Sequence, residues 1–455
     1  MLTLLYISAF LLAIFPLVLI HEFGHFLVAR IFKVKVERFS IGFGKPFYKW
    51  KHKKGGTEYV IAPILLGGYV KFLDTRETKV VADSDRHLAF DHKPILERLA
   101  IIVAGPVANI IFALFAFWLM LVIGFKLPKP IIGKVLHNSI ASRADMRAGE
   151  EIIKIDQINT RNWEEIIVAM LARVGDTGNL SVTTQSSPLL PAQKNYQLDL
   201  ANWQIDSYEP NPLLGFGLVH YEPQILPIIS NVTRDSPAAK SGLQINDRII
   251  AIEGQPINNW KDFIELIKKY PEKQIKLSLE RNGKVIDLIV TIGSKFGAGW
   301  KKIGFLGVNS LRVEWPEKML RKYQCTMWRA CGEAWYKMQL FVDLNSIILT
   351  KLFTGKISFH VLGGPIAIFT ASGQALGQGF IMFLDFLAVL SLSLALINLL
   401  PLPGLDGGYV VLLFIEAIMR RPISMRVQTL LLRLGIIFFI VLILQVTIND
   451  LKRLF

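Results

Sequence analysis

Residues 19–28 read LIHEFGHFLV and lie inside an apolar run that meets no lysine or arginine before Arg30. About 20 such residues in a helix cross the ~30 Å hydrocarbon core of a bilayer, so the run reads as a membrane span. Each ionisable group at the centre of a span costs about 2.5–3.5 kcal/mol on insertion scales. His21, Glu22 and His25 sit in this span and need compensation, from one another or from a bound cation.

Three more runs are long enough to cross. Leu99–Phe125 is uncharged between Arg98 and Lys126, a run over about 378–400 carries Asp385, and Leu430–Ile448 holds Arg433 where it can snorkel to the interface. Composition agrees, with 52% hydrophobic and 19% charged residues against about 25% charged in soluble domains. The first run has no basic stretch ahead of it and no small-residue cleavage site, so a retained span is expected rather than a signal peptide. A formal charge of +15 invites a nucleic-acid partner, but its distribution argues for none. The basic residues gather between spans one and two, from Arg30 through Lys53, Lys54, Lys71, Arg76 and Lys79 to Arg98, and again at Arg420, Arg421 and Arg426. Such clusters favour the cytoplasmic side. Spans one and three then run outside to inside, while both termini and the segment from about Lys126 to Gly377 lie outside the cytoplasm. Cys325 and Cys331 are the two thiols. On a helix they point to different faces, beyond disulfide reach.

A shift of 97 residues lays the segment between spans two and three on itself: SIASRADMRAGEEIIKIDQINTRNWEEI from Ser139 matches SPAAKSGLQINDRIIAIEGQPINNWKDF from Ser236. Each copy predicts a turn, a short β-run and a helix opening at an Asn-Trp pair. Two copies make two small domains rather than a stacked solenoid. The second resembles a PDZ domain, and the first is a degenerate sibling with Asp145 where the second has Gly242. PDZ folds take peptides by strand addition, so peptide C-termini are the expected ligands; spacers that bind nothing are the alternative. Beyond the repeats, a stripe of Trp328, Cys331, Trp335, Met338, Val342 and Leu349 among basic residues predicts an amphipathic helix, at the membrane interface or packed on the repeats.

In a helix, His21 and His25 stand one turn apart on one face and can share a metal ion, with Glu22 beside them as a base toward its water. A catalytic zinc usually takes three protein ligands. NLLPLPGLDGG, residues 398–408, supplies the third: Pro401 and Pro403 break span three, and Asp406 follows in a glycine-flanked turn. Both motifs fall toward the cytoplasmic ends of spans that run in the same direction, so they can meet.

His21-Glu22-Phe23-Gly24-His25 with Asn398, Pro401, Pro403 and Leu405-Asp406-Gly407 resembles the site-2 protease family of intramembrane zinc metalloproteases. The tandem repeats and LGGYVKF from Leu66 point to its bacterial members. The resemblance implies Zn2+ on His21, His25 and Asp406, Glu22 as general base and acid, and Asn398 as a holder of substrate backbone. It implies a bacterial inner-membrane location and single-pass membrane substrates, such as anti-sigma factors already cut once outside, and signal-peptide remnants. Gly105, Pro106 and Asn109 match the small-residue motif of the second span, for which close helix packing is a sufficient reading. Asp385 has no role in this pattern. EYVIAPILLGGYVKF, residues 58–72, predicts a β-hairpin dipping into the membrane beside the zinc. Its free edge over Gly67, Gly68, Tyr69, Val70 and Lys71 would pair with an unwound substrate; an ordinary cytosolic hairpin is the alternative.

The expected fold is a polytopic α-helical membrane protein with four transmembrane helices and a membrane-associated β-hairpin, carrying two extracytoplasmic α+β PDZ domains. By residue, the expectation is span one at 1–29, the β segment at 30–98, span two at 99–125, and PDZ copies at 126–220 and 221–310. An amphipathic helix and connector follow at 311–377, span three at 378–408, a cytoplasmic loop at 409–429 and span four at 430–455. Two competing readings are an intramembrane metal transporter, since buried His and Asp also mark ion paths, and a non-catalytic PDZ scaffold. A closed ligand set speaks against the first, and the presence of Glu22 against the second.

Overall fold

The computed structural model describes residues 2–51, 56–76, 81–186, 192–201, 203, 211–296, 302–311 and 315–454. Lys53, Lys54 and Lys79 of the basic segment lie outside the described residues. The chain divides into two compact units, Met1–Lys126 with Lys322–Asp450, and Leu127–Arg321 with Leu451–Phe455.

In the first unit, α1 (Leu2–Ile31) leads into β1 (Val36–Phe43), β2 (Tyr48–Lys51), β3 (Glu58–Ile61) and β4 (Ile64–Phe72), followed by α2 (Ile95–Ile123). After the second unit come α3 (Met327–Phe353), α4 (Pro365–Gln378), α5 (Phe380–Leu399), α6 (Asp406–Met419) and α7 (Met425–Leu454). Among the described residues, four helices are long and apolar enough to cross a membrane: Leu4–Ile31, Ile95–Ile123, Phe380–Leu399 and Met425–Lys452. The second starts at Pro94, whose fixed φ suits a helix entry. It ends at Gly124, where φ is +87°.

The core of this unit is α2. Ala113, Ala116, Ala330, Ala334 and Ala388 are all but inaccessible and let α2, α3 and α5 approach closely, as small residues do where helices pack in lipid. On its other side α2 meets α1, and near its start Arg98 holds Glu416 of α6 through two hydrogen bonds of 2.5 and 3.2 Å. Almost none of α7 is buried inside the protein. Its Asp450 accepts hydrogen bonds from the N–H groups of Gly364, Ile366 and Ala367 and so caps α4.

Four expectations need correction. The loop expected over 409–429 is helical as far as Met419, because α6 presents Leu413 to the core and Glu416 to Arg98. The amphipathic helix expected within 311–377 runs Met327–Phe353 and buries Ala330, Ala334 and Met338, while Trp328, Cys331 and Trp335 of the expected stripe stay exposed. It packs on α2 and α5, where Lys337 pairs with Asp385 at 2.5 Å. That pairing gives the charge in span three its partner. The expected connector holds α4, whose Gly373 lies under the Tyr6 ring of α1. Finally, residues 58–72 do not form a hairpin. Their strands β3 and β4 lie on opposite sides of β1 in a sheet of order β2-β3-β1-β4. The chain passes from one side to the other around the end of β1, where Ala62 donates to Ile41 O. Only glycine fits that passage: Gly42 has φ +90°, and a Cβ there would lie 2.5 Å from Ala62 O.

In the second unit the 97-residue repeat recurs in the backbone. Helices Ile140–Arg143 and Pro237–Lys240, strands Glu151–Ile155 and Arg248–Ile252, and helices opening at Trp163 and Trp260 occupy equivalent positions. Asn162 and Asn259 cap those last helices through 2.9 Å bonds to the N–H groups of Glu165 and Asp262. Asp145 keeps the turn at φ +60° where Gly242 has +78°, so the first copy has lost the glycine but not the conformation. Equivalent buried carboxylates have diverged in partner. Asp247 takes a two-pronged pair from Arg281 at 2.8 and 2.7 Å, whereas Glu150 accepts from Thr184 at 2.8 Å and Tyr196 at 2.9 Å.

The Arg98–Glu416 pair yields a stability prediction. Arg98→Met alone should cost about 3–5 kcal/mol, because Glu416 loses its cation, and adding Glu416→Met should recover most of that. Denaturant titration in detergent micelles measures both.

Candidate metal centre

His21 and His25 lie on α1 with their rings edge to face, centroids 4.9 Å apart, and both are buried together with Glu22. The third group arrives from the other end of the chain. After α5 ends at Leu399, residues 400–405 form a short connection and α6 opens with Asp406 as its first residue. Asp406 therefore sits on a helix start rather than in the turn expected for it. The glycines after it serve close packing: a Cβ on Gly407 would fall 2.3 Å from Leu400 O, and one on Gly408 the same distance from Leu402 O.

The three groups form a small triangle. His21 Nε2 and His25 Nε2 are 3.3 Å apart, and Asp406 Oδ2 lies 3.3 Å from the first and 3.5 Å from the second. Zinc bonds of about 2.0–2.1 Å in tetrahedral geometry require ligand atoms about 3.4 Å apart. Asp406 Oδ2 is buried and has no hydrogen-bond partner among the described residues, as befits an oxygen whose partner is a cation. His25 Nδ1 lies 2.8 Å from Ile101 O. A carbonyl only accepts, so Nδ1 carries the proton and the neutral ring keeps its Nε2 lone pair for a metal. The donor set fits zinc.

Gly105 of α2 explains how the backbone comes so close. A Cβ there would lie 2.3 Å from His25 Nε2 and 2.9 Å from His21 Cε1. Helix packing is thus an incomplete account of the second-span motif, since its glycine clears the space that the edges of both imidazoles occupy. Asn109, one turn further, reaches His21 Nδ1 at 3.3 Å. A polar residue in an apolar span is costly, and that signal is present in the sequence.

A cavity of about 590 Å³ opens beside the triangle, lined by His21, Glu22, His25, Asn398, Asp406 and the run Gly67–Phe72, with Phe90, Tyr409, Met425 and Gln428. All the site residues read from the sequence therefore share one wall system, although the hairpin expected there is absent. Gly68 lies against Glu22: a Cβ on it would fall 2.8 Å from Glu22 Cγ. The side chains of Tyr69 and Lys71 are engaged elsewhere, with Arg38 Nη1 at 3.2 Å and Glu37 at 2.9 Å. Strand β4 also has a backbone edge unpaired among the described residues. Leu73, just past β4, donates to the carbonyl of Lys35, just ahead of β1, and the bulge beside it, between Val36 and Arg38, lies on β1. Alternation along β4 then turns the N–H groups of Tyr69 and Lys71 toward β1, and those of Gly68, Val70 and Phe72 toward the open edge.

The description of peptidase family M50 matches residues 9–442. The chain belongs to peptidase family M50. The regulator of sigma-E protease RseP of Escherichia coli is 40% identical over 453 residues, covering 98% of each chain. The regulator of sigma E protease of Haemophilus influenzae is 36% identical over 449 residues, covering 98% of this chain and 99% of its own length. A crystallised PDZ domain of an SdrC-like protein from Listeria monocytogenes covers 20% of this chain and 94% of its own length, at 19% identity and a TM-score of 0.17, too low to carry an argument. As an M50 peptidase the chain is a membrane-embedded zinc metalloprotease of the site-2 type.

Gly105→Ala tests the geometry of this M50 site. The added methyl meets His25 Nε2 from a helix backbone that cannot retreat, so zinc per chain should fall from about one to near zero. Metal analysis of the purified protein in detergent reads the result.

Proposed function

We propose that this peptidase cleaves the transmembrane segments of single-pass membrane proteins, at a zinc held by His21, His25 and Asp406. The observation that carries the reading is the ligand triangle opening into the same cavity as Glu22 and the free edge of β4. Zinc in that triangle supplies Lewis-acid activation of the scissile carbonyl and of a water. The Glu22 carboxylate takes the proton from the attacking water and hands it to the leaving amide nitrogen. Asn398, on the cavity wall, holds substrate backbone through its amide.

A transmembrane helix hides its carbonyls in its own hydrogen bonds, so the substrate has to unwind first. The N–H groups of Gly68, Val70 and Phe72 offer it a replacement ladder by strand addition. The resemblance to sigma-E regulators supports anti-sigma-factor-type substrates, cut after a first cut outside, in a bacterial inner membrane. The basic segment between spans one and two supports a topology with both termini and both PDZ-like modules on the periplasmic side. Those modules, over 126–220 and 221–310, would take peptide C-termini.

Glu22→Gln should retain about one zinc per chain while cleavage of a co-expressed single-span substrate falls by orders of magnitude; loss of zinc, or undiminished cleavage, would overturn the assignment. For the strand edge, Val70→Pro removes an outward donor and spares the ladder to β1. It should abolish cleavage in a folded, zinc-loaded protein. Val70→Ala keeps the donor and should lose no more than about a few-fold. Equal losses from the two would mean that strand addition is wrong.

A further inference from the structure

The proposed mechanism makes no use of Asn109, yet this residue is fully buried in an apolar helix. It stands in line with two neighbours that serve the histidines. Ile101, Gly105 and Asn109 fall at four-residue intervals, so they share one face of α2 on successive turns. Ile101 gives a carbonyl to His25 Nδ1, Gly105 gives clearance for the edges of both imidazoles, and Asn109 reaches His21 Nδ1. Ser391 donates to the Asn109 backbone carbonyl at 3.0 Å and pins that turn of α2.

An amide has one end that accepts and one that donates. With Nδ2 toward His21 Nδ1 at 3.3 Å, Asn109 suits a ring whose proton is on Nε2. That tautomer cannot ligate through Nε2. A ring that ligates through Nε2 carries its proton on Nδ1 and needs an acceptor there. Asn109 has an uncommitted one, since its Oδ1 is buried with no hydrogen-bond partner among the described residues. A half-turn of the amide brings Oδ1 to His21 Nδ1–H. We infer that Asn109 is the positioning residue of His21: its amide oxygen holds the Nδ1–H tautomer and aims Nε2 at the zinc, as Ile101 O does for His25. This rests on the metal centre proposed above and assigns a residue outside its ligand set.

The test uses the full chain in detergent and reads zinc affinity by competition with a chromophoric chelator. Asn109→Leu keeps the shape and loses the acceptor; Asn109→Asp keeps an acceptor. The leucine variant should bind zinc about 10–100-fold more weakly, and the aspartate variant should stay within about threefold of wild type. Thermal unfolding of the zinc-free forms should differ little between wild type and Asn109→Leu, a result that a purely packing role would not give. Wild-type affinity in the leucine variant, or an equal loss in both variants, would overturn the inference. A wild-type protein that takes up no zinc would overturn the metal centre and this inference with it.

Discussion

Hydrocarbon does not tolerate an ionisable side chain unless something else satisfies it, and this chain buries His21, Glu22 and His25 in one apolar helix. The surrounding structure is arranged around that cost. Each imidazole has a polar atom of α2 at its Nδ1, and their Nε2 atoms converge on the Asp406 carboxylate. That convergence is the arrangement a bound cation would need.

The second helix holds the two ends of the chain in register. It meets α1 along Ile101, Gly105 and Asn109, and it meets α6 through Arg98 and Glu416. Asp406 opens α6 ten residues ahead of Glu416. The helix that orients the histidines therefore also anchors the helix that delivers the carboxylate. An aspartate on a mobile loop would lose more conformational freedom on reaching the same place.

The sheet solves a second problem, that of presenting unpaired backbone in a membrane protein. Strand β4 is paired on one side by β1 and, among the described residues, open on the other, and it runs past Glu22 because Gly68 has no side chain to prevent it. An open edge is ordinarily a hazard. Lining a cavity, it presents the alternating donors and acceptors that the proposed strand addition would use.

Much of this architecture is legible in the sequence alone. The four apolar helices, the spacing of His21 and His25, the candidate third ligand Asp406 and the 97-residue repeat are all local or periodic features. Local features follow from helix pitch, strand alternation and the length of a bilayer crossing, which act on neighbours in sequence. What the sequence leaves hidden depends on neighbours in space. That β1 inserts between β3 and β4, that α3 buries its alanines rather than its tryptophans, and that Lys337 answers Asp385 each require a partner from a distant part of the chain. Gly105 and Asn109 show the divide most clearly. Their spacing announces a helix face with room on it, but only the approach of α1 decides that two histidines fill that room.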